Sequence, residues 1–395
     1  MTLAQLAGSW LTGGGPAALV DGTVRTRSVA QTRAELVPLL PRWGITRVAE
    51  LTGLDIIGVP VFSAVRPGAA TLVASAGKGL SDDAAWVSAV MESIEVAAAE
   101  TFACADPLVG TAAEIGCGYH VEDLPLHPVS VAADSTVLEW TAGLDLVTGA
   151  AARVPVAAVG LRGWTEQRWQ PPLFVTTTNG LAGGNTHVEA ALHGLLELVE
   201  RDALSRVGPR SERVPTSPAA VGPRVAALAE LVRDAGATIE LEFLASLPGT
   251  ATCVCYLSQS EMPQLFGGSG CHLDPEIAAE RAVLEAIQSR ASVISGTRDD
   301  IPATVYHGAM TLGRQRRATA GARAVPDPRS LHGADVAGLL GGLAATVTER
   351  TGRPVIAVDL TPDEAGFPAV VQVFAPGMTP APEAPRPTAD GWRGP

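Results

Sequence analysis

Three stretches of this chain follow one order of elements: a β-branched run, a second short strand ending in a glycine-rich turn, and a helix of about 20 residues with a sparse polar stripe. The first copy has strands at 59–64 and 71–75, a turn at Gly77-Lys78-Gly79 and a helix at 83–101. The second has strands at 154–159 and 173–177, a turn at 180–184 and a helix at 186–206. The third has a strand at 252–257, a turn at 267–270 and a helix opened by Asp274 as N-cap and Pro275 in its first turn. Superimposed on Glu92, Glu197 and Glu285, the helices align Ala85, Ala190 and Ala278 seven residues earlier. Ser88, His193 and Arg281 align four residues earlier, and Glu95, Glu200 and Gln288 three residues later.

Helix-strand-strand units add to this pattern: 31–40 before Val48 and Val59, 225–235 before Ile239 and Thr252, and 335–350 before Val355 and Val370. The pattern predicts an α+β (mixed α/β) fold, a sheet built by internal duplication with helices stacked on it. A hydrophobic content of 47% is enough for a large core. We expect an N-terminal segment at 1–24, one domain at 25–378 and a Pro-rich tail at 379–395. Two loops are expected, at 207–223 and at 307–330, the second carrying Arg314, Arg316, Arg317 and Arg323 as candidate contacts for a peptide or partner.

The polar stripes carry the chemistry. In the second helix Glu189, His193, Glu197 and Glu200 fall on one face, while Leu192, Leu195, Leu196, Leu198 and Val199 cover the others. In the first helix Trp86, Val87, Val90, Met91 and Ile94 surround Ser88, Glu92 and Glu95. Two i, i+3 pairs of glutamates on largely apolar helices repel one another and lose hydration, so they need a compensating cation. Mg²⁺ suits hard carboxylate oxygens and keeps water and phosphates as its other ligands. Arg66, Arg201, Arg281 and Arg290 supply candidate clamps for a nucleotide triphosphate.

Other site classes fit less well. No Walker A loop is present, because Leu72 stands where its first glycine belongs, and no Gly-x-Gly-x-x-Gly opens a helix. A glycosidase pair leaves the second carboxylate pair without a role. His187, His193 and His272 lack a thiolate or histidine at zinc-ligand spacing. The five cysteines contain no Cys-x-x-Cys and read as buried small hydrophobes. With 28 basic against 41 acidic residues, the net charge of −13 disfavours nucleic-acid and anionic-membrane binding. No apolar run is long enough to span a bilayer and no secretory signal is seen, so we expect a cytoplasmic protein.

The stretches "TRVAELTGLDIIGVPVFSAVRP", "GKGLSDDAAWVSAVMESIE", "TTNGLAGGNTHVEAALHGLLELVERDA" and "GGSGCHLDPEIAAERAVLEAIQSR" resemble the YcaO family from about residue 25 to 378. The resemblance implies a YcaO-type ATP-binding fold that uses ATP and Mg²⁺ to phosphorylate a backbone amide oxygen of a ribosomally made precursor peptide. It implies Mg²⁺-nucleotide roles for Glu92, Glu95, Glu197 and Glu200. It places Ser88, Asn185, Glu189 and Arg201 around the nucleotide, with Arg281 and Glu285 as further candidates. Val96 stands where the family usually has Arg. Lys78, the one lysine among the 28 basic residues, lies in the turn before the first helix and is a candidate for a phosphate or a carboxylate.

The resemblance leaves the nucleophile open: sulfide gives a thioamide, a Cys, Ser or Thr side chain an azoline, and an amine a macroamidine. Azoline-forming members resemble one another in a Pro-x-Pro-x-Pro C-terminus. Here Pro380-Ala-Pro382 and Pro385-Arg-Pro387 are split, and the opening stretch looks most like members that form thioamides with TfuA-type partners. Thioamidation with a sulfur donor is therefore the first expectation, and cyclodehydration or macroamidination the alternative. A non-catalytic ATP-binding scaffold or maturation factor is the competing class. About 25 residues precede the match, too few for a leader-binding domain, so we expect a TfuA-like or leader-peptide-binding partner in trans; self-association is left open.

Overall fold

A computed structural model describes residues 18–20, 23–161, 172–207, 213–296, 298, 300–301, 304–307, 325, 335–362 and 367–379. Nearly all of the expected loop at 307–330, residues 208–212 of the expected loop at 207–223, nearly all of the C-terminal tail and most of residues 1–24 lie outside these.

Among the described residues the long helices are α1 (Val29–Leu36), α2 (Asp82–Thr101), α3 (His187–Ser205), α4 (Pro223–Asp234), α5 (Pro275–Ser295) and α6 (Val336–Thr351). Their starts follow from capping chemistry. Ser81 accepts from the Ala84 amide before α2, Thr186 from Glu189 before α3, and Asp274 from Glu276 before α5. Gly296 and Gly352 close α5 and α6 in the left-handed conformation, which costs a glycine little.

A hairpin of β1 (Ala18–Val20) and β2 (Thr23–Arg25) precedes three antiparallel sheets. The first is ordered β3 (Arg47–Glu50), β4 (Val61–Val65), β5 (Ala74–Lys78). A six-stranded sheet contains β6 (Leu108–Gly110), β7 (Leu138–Asp145), β8 (Ala151–Pro155) and β9 (Leu181–Gly184). A four-stranded sheet runs β10 (Arg213–Thr216), β11 (Ala237–Leu244), β12 (Ala251–Gln259), β13 (Met262–His272). The last strands, β14 (Ile356–Asp359) and β15 (Ala369–Phe374), return to the six-stranded sheet, in the order β6-β7-β14-β15-β9 with β8 beside β7.

Three copies of a helix-strand-strand-strand-helix unit result. Two are continuous in sequence: α1-β3-β4-β5-α2 and α4-β11-β12-β13-α5. The remaining copy joins α6-β14-β15 to β9-α3, because β15 pairs antiparallel with β9 through Ala369–Gly184 and Gln372–Leu181. This corrects the expected second copy. Residues 151–155 pair with β7, and Leu173 to Thr177 contribute a single bridge from Phe174 to Leu126. Pairing across the length of the chain leaves no local mark on sequence.

The glycine-rich "turns" are also corrected, since each is the end of a strand lying against the following helix. A Cβ at Gly77 would sit 2.0 Å from the Ala89 amide nitrogen and 2.3 Å from the Ala85 carbonyl oxygen. At Gly184 it would meet the Ala190 nitrogen at 2.7 Å, and at Gly270 the Ala278 oxygen at 2.3 Å. The alanines shared by the three-helix register are thus the other half of a glycine-alanine contact that brings helix and strand backbones together. Apolar clusters lie behind these contacts: Trp140 and Ile94 under α2, Leu195, Leu340 and Val371 between α3 and α6, and Phe243, Ile277 and Ile287 under α5. Each such side chain removed from water stabilises the fold by roughly 1.5–3 kcal/mol.

Candidate functional site

β5, β9 and β13 are each the edge strand of their sheet, and α2, α3 and α5 follow them directly. The polar stripes of the three helices therefore meet, and they wall an open cleft of about 1440 Å³. Lys78, Ser88, Glu92, Glu95, Asn185, Glu197, Glu200, Arg201, Arg281 and Glu285 all line it. The structure thus gathers ten of the thirteen residues expected at the metal or nucleotide, and leaves out Glu189, Arg66 and Arg290.

Glu189 is one of these three. Its side chain is fully buried and accepts from the Asn185 amide and Nδ2, both at 2.9 Å, and from the amide and hydroxyl of Thr26. Arg25 lies 3.6 Å away. Glu189 acts on the cleft by fixing Asn185, whose Oδ1 also accepts from the Thr32 hydroxyl at 2.7 Å. The cleft-lining Arg25, Thr32 and Arg298 were missed in the sequence. None of them lies on the three polar-striped helices, and no spacing marks them.

The carboxylates are held by backbone and arginine. Glu95 accepts from the Gly183 amide at 2.6 Å, and Glu197 from the Gly180 amide at 3.2 Å. Arg201 reaches Glu197 at 3.3 Å and Glu200 at 3.9 Å, while the Ser269 hydroxyl donates to Glu200 at 2.7 Å. Burial and then the charge of Glu92 push the Glu95 carboxyl up to about 8. Burial pushes Glu197 up to about 7, with Glu200 adding repulsion against the pull of Arg201. Glu92 and Glu200 are raised for the same primary reason. Burial draws Arg201 down, but Glu197, Glu200 and Glu285 more than offset it.

Burial, and next the neighbouring Arg281, hold His193 well below its usual range, so its imidazole is neutral. Arg281 Nη2 lies 2.7 Å from His193 Nε2 and can only donate, which makes Nε2 the acceptor and leaves the proton on Nδ1. Two expected phosphate clamps are corrected. Arg66 is buried against Glu100 at 2.6 Å, and Arg290 against Asp55 at 2.9 Å. Both guanidiniums tie loops and helices together away from the cleft.

This donor set fits Mg²⁺ bound with phosphates. Four carboxylates share one wall, and although Arg25, Arg201, Arg281, Arg298 and Lys78 all act on them, their carboxyls stay raised above the ordinary range. Among the described residues no three His, Cys, Asp or Glu side chains form a ready cage for a metal. Carboxylates offered in pairs suit an ion that takes its remaining ligands from water and phosphate.

Comparison with known proteins gives the family and the fold. The family model described as YcaO cyclodehydratase, ATP- and Mg²⁺-binding, matches residues 76–379. The chain belongs to the YcaO family. A protein of Mycobacterium tuberculosis is 37% identical over 366 residues, covering 90% of this chain and 83% of the relative. A protein encoded in the tfuA 3′ region of Rhizobium leguminosarum bv. trifolii is 37% identical over 299 residues, 71% of this chain and 70% of the relative. The structure of YcaO from Methanopyrus kandleri bound with AMPPCP and Mg²⁺ matches with a TM-score of 0.70 and 24% identity, covering 91% of this chain and 93% of that one. This likeness shows the mixed helix-and-sheet YcaO fold. Among the described residues no helix is long and apolar enough to cross a membrane.

Proposed function

We propose that this protein activates a backbone amide of a ribosomally made precursor peptide with ATP, and that a sulfur donor then converts it to a thioamide with a TfuA-type partner. The observation that carries the ATP step is the convergence of two carboxylate pairs, Glu92–Glu95 and Glu197–Glu200, with Arg201 and Arg281 on one desolvated cleft. The relative encoded beside tfuA supports the TfuA-type partner.

The amide oxygen attacks the γ-phosphorus as the bond to the β,γ-bridging oxygen breaks, releasing ADP. The carbon of the resulting O-phosphorylated imidate is electrophilic. Hydrosulfide adds to it, phosphate leaves with the former amide oxygen, and loss of the thiol proton leaves C=S. Bound Mg²⁺ supplies charge neutralisation at the phosphates. Glu92, Glu95, Glu197 and Glu200 would hold it, with Asn185 and Ser88 beside the nucleotide. Arg201 and Arg281 offer fixed donors to the transferring phosphoryl group, so catalysis is positioning and electrostatics. No protein nucleophile is required.

A second reading, azoline formation by a side chain of the peptide itself, is favoured by the family model's description as a cyclodehydratase. One measurement separates the two. The purified protein, the TfuA-type protein and the precursor peptide encoded beside its gene are incubated with Mg-ATP and sulfide, and the peptide is weighed by mass spectrometry. Exchange of oxygen for sulfur supports thioamidation, and loss of water supports the azoline. Binding of Mg-ATP without any change in peptide mass would point to the scaffold class and overturn the enzymatic reading.

A further inference from the structure

The cleft is also lined by an unbroken run that the metal and nucleotide do not use, Phe174-Val175-Thr176-Thr177-Thr178, which carries no ionisable side chain. Its first residues are extended and are paired along one edge. The His127 amide donates to the Leu173 carbonyl at 3.1 Å and the Val175 amide to the Pro125 carbonyl at 2.8 Å, so that Leu126 and Phe174 form an antiparallel pair between these bonds. Backbone groups of successive residues in an extended strand point to alternate edges. The N–H and C=O of Phe174 and Thr176 therefore point away from 125–127, and the described residues offer them no backbone partner.

The run is fixed in place and leads to the carboxylates. The Phe174 side chain is buried in the same apolar cluster as Trp140 and Leu181. At the other end, a turn closed by the Leu181 amide on the Thr178 carbonyl at 2.9 Å, with Gly180 at φ 74°, joins the run to β9. The Gly180 amide of that turn donates to Glu197, and the Gly183 amide beyond it to Glu95. An open strand edge binds an extended peptide through main-chain hydrogen bonds. Phosphates, by contrast, call for cations, which this run lacks. A substrate that must present a main-chain amide is the ligand such an edge suits.

We propose that residues 174–178 are a docking strand, on which the precursor peptide pairs in extended form and is led toward the carboxylate wall. The proposal rests on the peptide-activating reading of the cleft and names the surface that holds the peptide.

The test uses the full chain, AMPPCP with Mg²⁺, and the synthetic precursor peptide encoded beside the gene. Amide hydrogen exchange across 174–178 is expected to slow when peptide is added to the AMPPCP complex, and to be unchanged by AMPPCP alone. A second arm follows turnover by the wild-type protein, with Mg-ATP, sulfide and the TfuA-type protein, of peptides that each carry one N-methylated amide. Methyl groups at alternate residues beside the modified amide should raise KM by about fivefold to tenfold, the scale of one lost backbone hydrogen bond, and those between them should leave it unchanged. In the protein, Thr176→Pro removes one unpaired N–H and favours an extended residue before it, so it should raise the peptide KM by a similar factor with AMPPCP affinity as in wild type. Slowed exchange with AMPPCP alone would give the run to the nucleotide and overturn the proposal. A peptide modified by wild type with a KM indifferent to every N-methyl group would overturn it too, and would leave the functional reading intact. Protection of 174–178 by a peptide whose mass never changes would overturn the functional reading and keep the docking strand.

Discussion

Glu95 on α2 accepts the amide hydrogen of Gly183 on the edge strand β9 at 2.6 Å, and two residues in the same register make the corresponding contact elsewhere. Glu200 on α3 accepts from Ser269 on β13 at 2.7 Å, and Gln288 on α5 donates to the Ala76 carbonyl on β5 at 3.2 Å. Each copy's helix thus reaches the edge strand of the next, and the three contacts close a ring. An edge strand carries unpaired backbone groups that need partners. Glu95 and Gln288 meet such backbone groups, while Glu200 meets a side chain of its edge strand, so two candidate metal ligands are positioned by contacts that form as the copies dock.

Glu95 can therefore be separated into its two roles. Glu95→Gln keeps an oxygen to accept from Gly183 but removes the charge. We expect a fold that melts at or above the wild-type temperature, with phosphate release from ATP lowered by about 10²–10³-fold, the scale of losing one electrostatic contact in a dry site. Glu95→Ala also strands the Gly183 amide and should lose roughly 1–3 kcal/mol in urea unfolding. Equal phosphate release by wild type and Glu95→Gln would remove Glu95 from the metal site.

The pH dependence has a definite sign. Glu95 and Glu197 titrate near 8 and 7 in the folded, metal-free protein, against an ordinary value of 4.5. The folded state then binds more protons than the unfolded state across roughly pH 5–8, so stability falls as pH rises through that window. Melting temperature measured in chelator should drop from pH 5.5 to 8.5, and the slope should flatten in Glu95→Gln/Glu197→Gln. Binding of Mg-ATP at pH 7 should release protons, seen calorimetrically as a heat that varies with the buffer's ionisation enthalpy. A melting temperature that climbs with pH in wild type and in the double variant alike would contradict this.

The glycine-alanine contacts give a paired comparison. Neighbouring glycines of β13 differ completely in their surroundings. A Cβ at Gly268 would lie 2.2 Å from the Ala282 carbonyl oxygen, while one at Gly267 would meet nothing within 4 Å. Gly268→Ala should cost roughly 1–3 kcal/mol or abolish folding, as overpacking against backbone does, and Gly267→Ala should melt within a degree or two of wild type. Similar melting temperatures for the two variants would show that helix and strand are not in backbone contact there.

Much of this was legible because it is periodic. The helix boundaries, the aligned Ala85, Ala190 and Ala278, and the stripes of Glu92, Glu95, Glu197 and Glu200 all follow from side-chain spacing on helices. The helix-strand-strand units before β5, beside β15 and before β13 were legible for the same reason. The union of β15 with β9 was not, because the hydrogen bonds that specify it join residues far apart in sequence. Glycines were misread as turns, since the sequence shows that a residue lacks a Cβ but not whether φ or a neighbouring helix demands it. Charged residues were the most ambiguous: Glu189 shares its stripe with Glu197 and Glu200, yet it is consumed by Thr26 and Asn185 behind the wall.

Arg290 shows how that ambiguity can be tested. It was expected to clamp phosphate, but it lies buried against Asp55 at 2.9 Å with side-chain exposures of 4% and 6%, and over the ring of Phe266 at 5.9 Å. Taking one partner from a buried pair strands the other charge, which costs about 3–5 kcal/mol. Replacing both with apolar groups is often nearly neutral. Asp55→Ala should therefore unfold at markedly lower urea, and Asp55→Ala/Arg290→Met should recover most of the loss. Both variants that fold should bind the ATP analogue as wild type does, because neither side chain lines the cleft. Weakened nucleotide binding in the double variant at wild-type stability would instead restore Arg290 to the phosphate site.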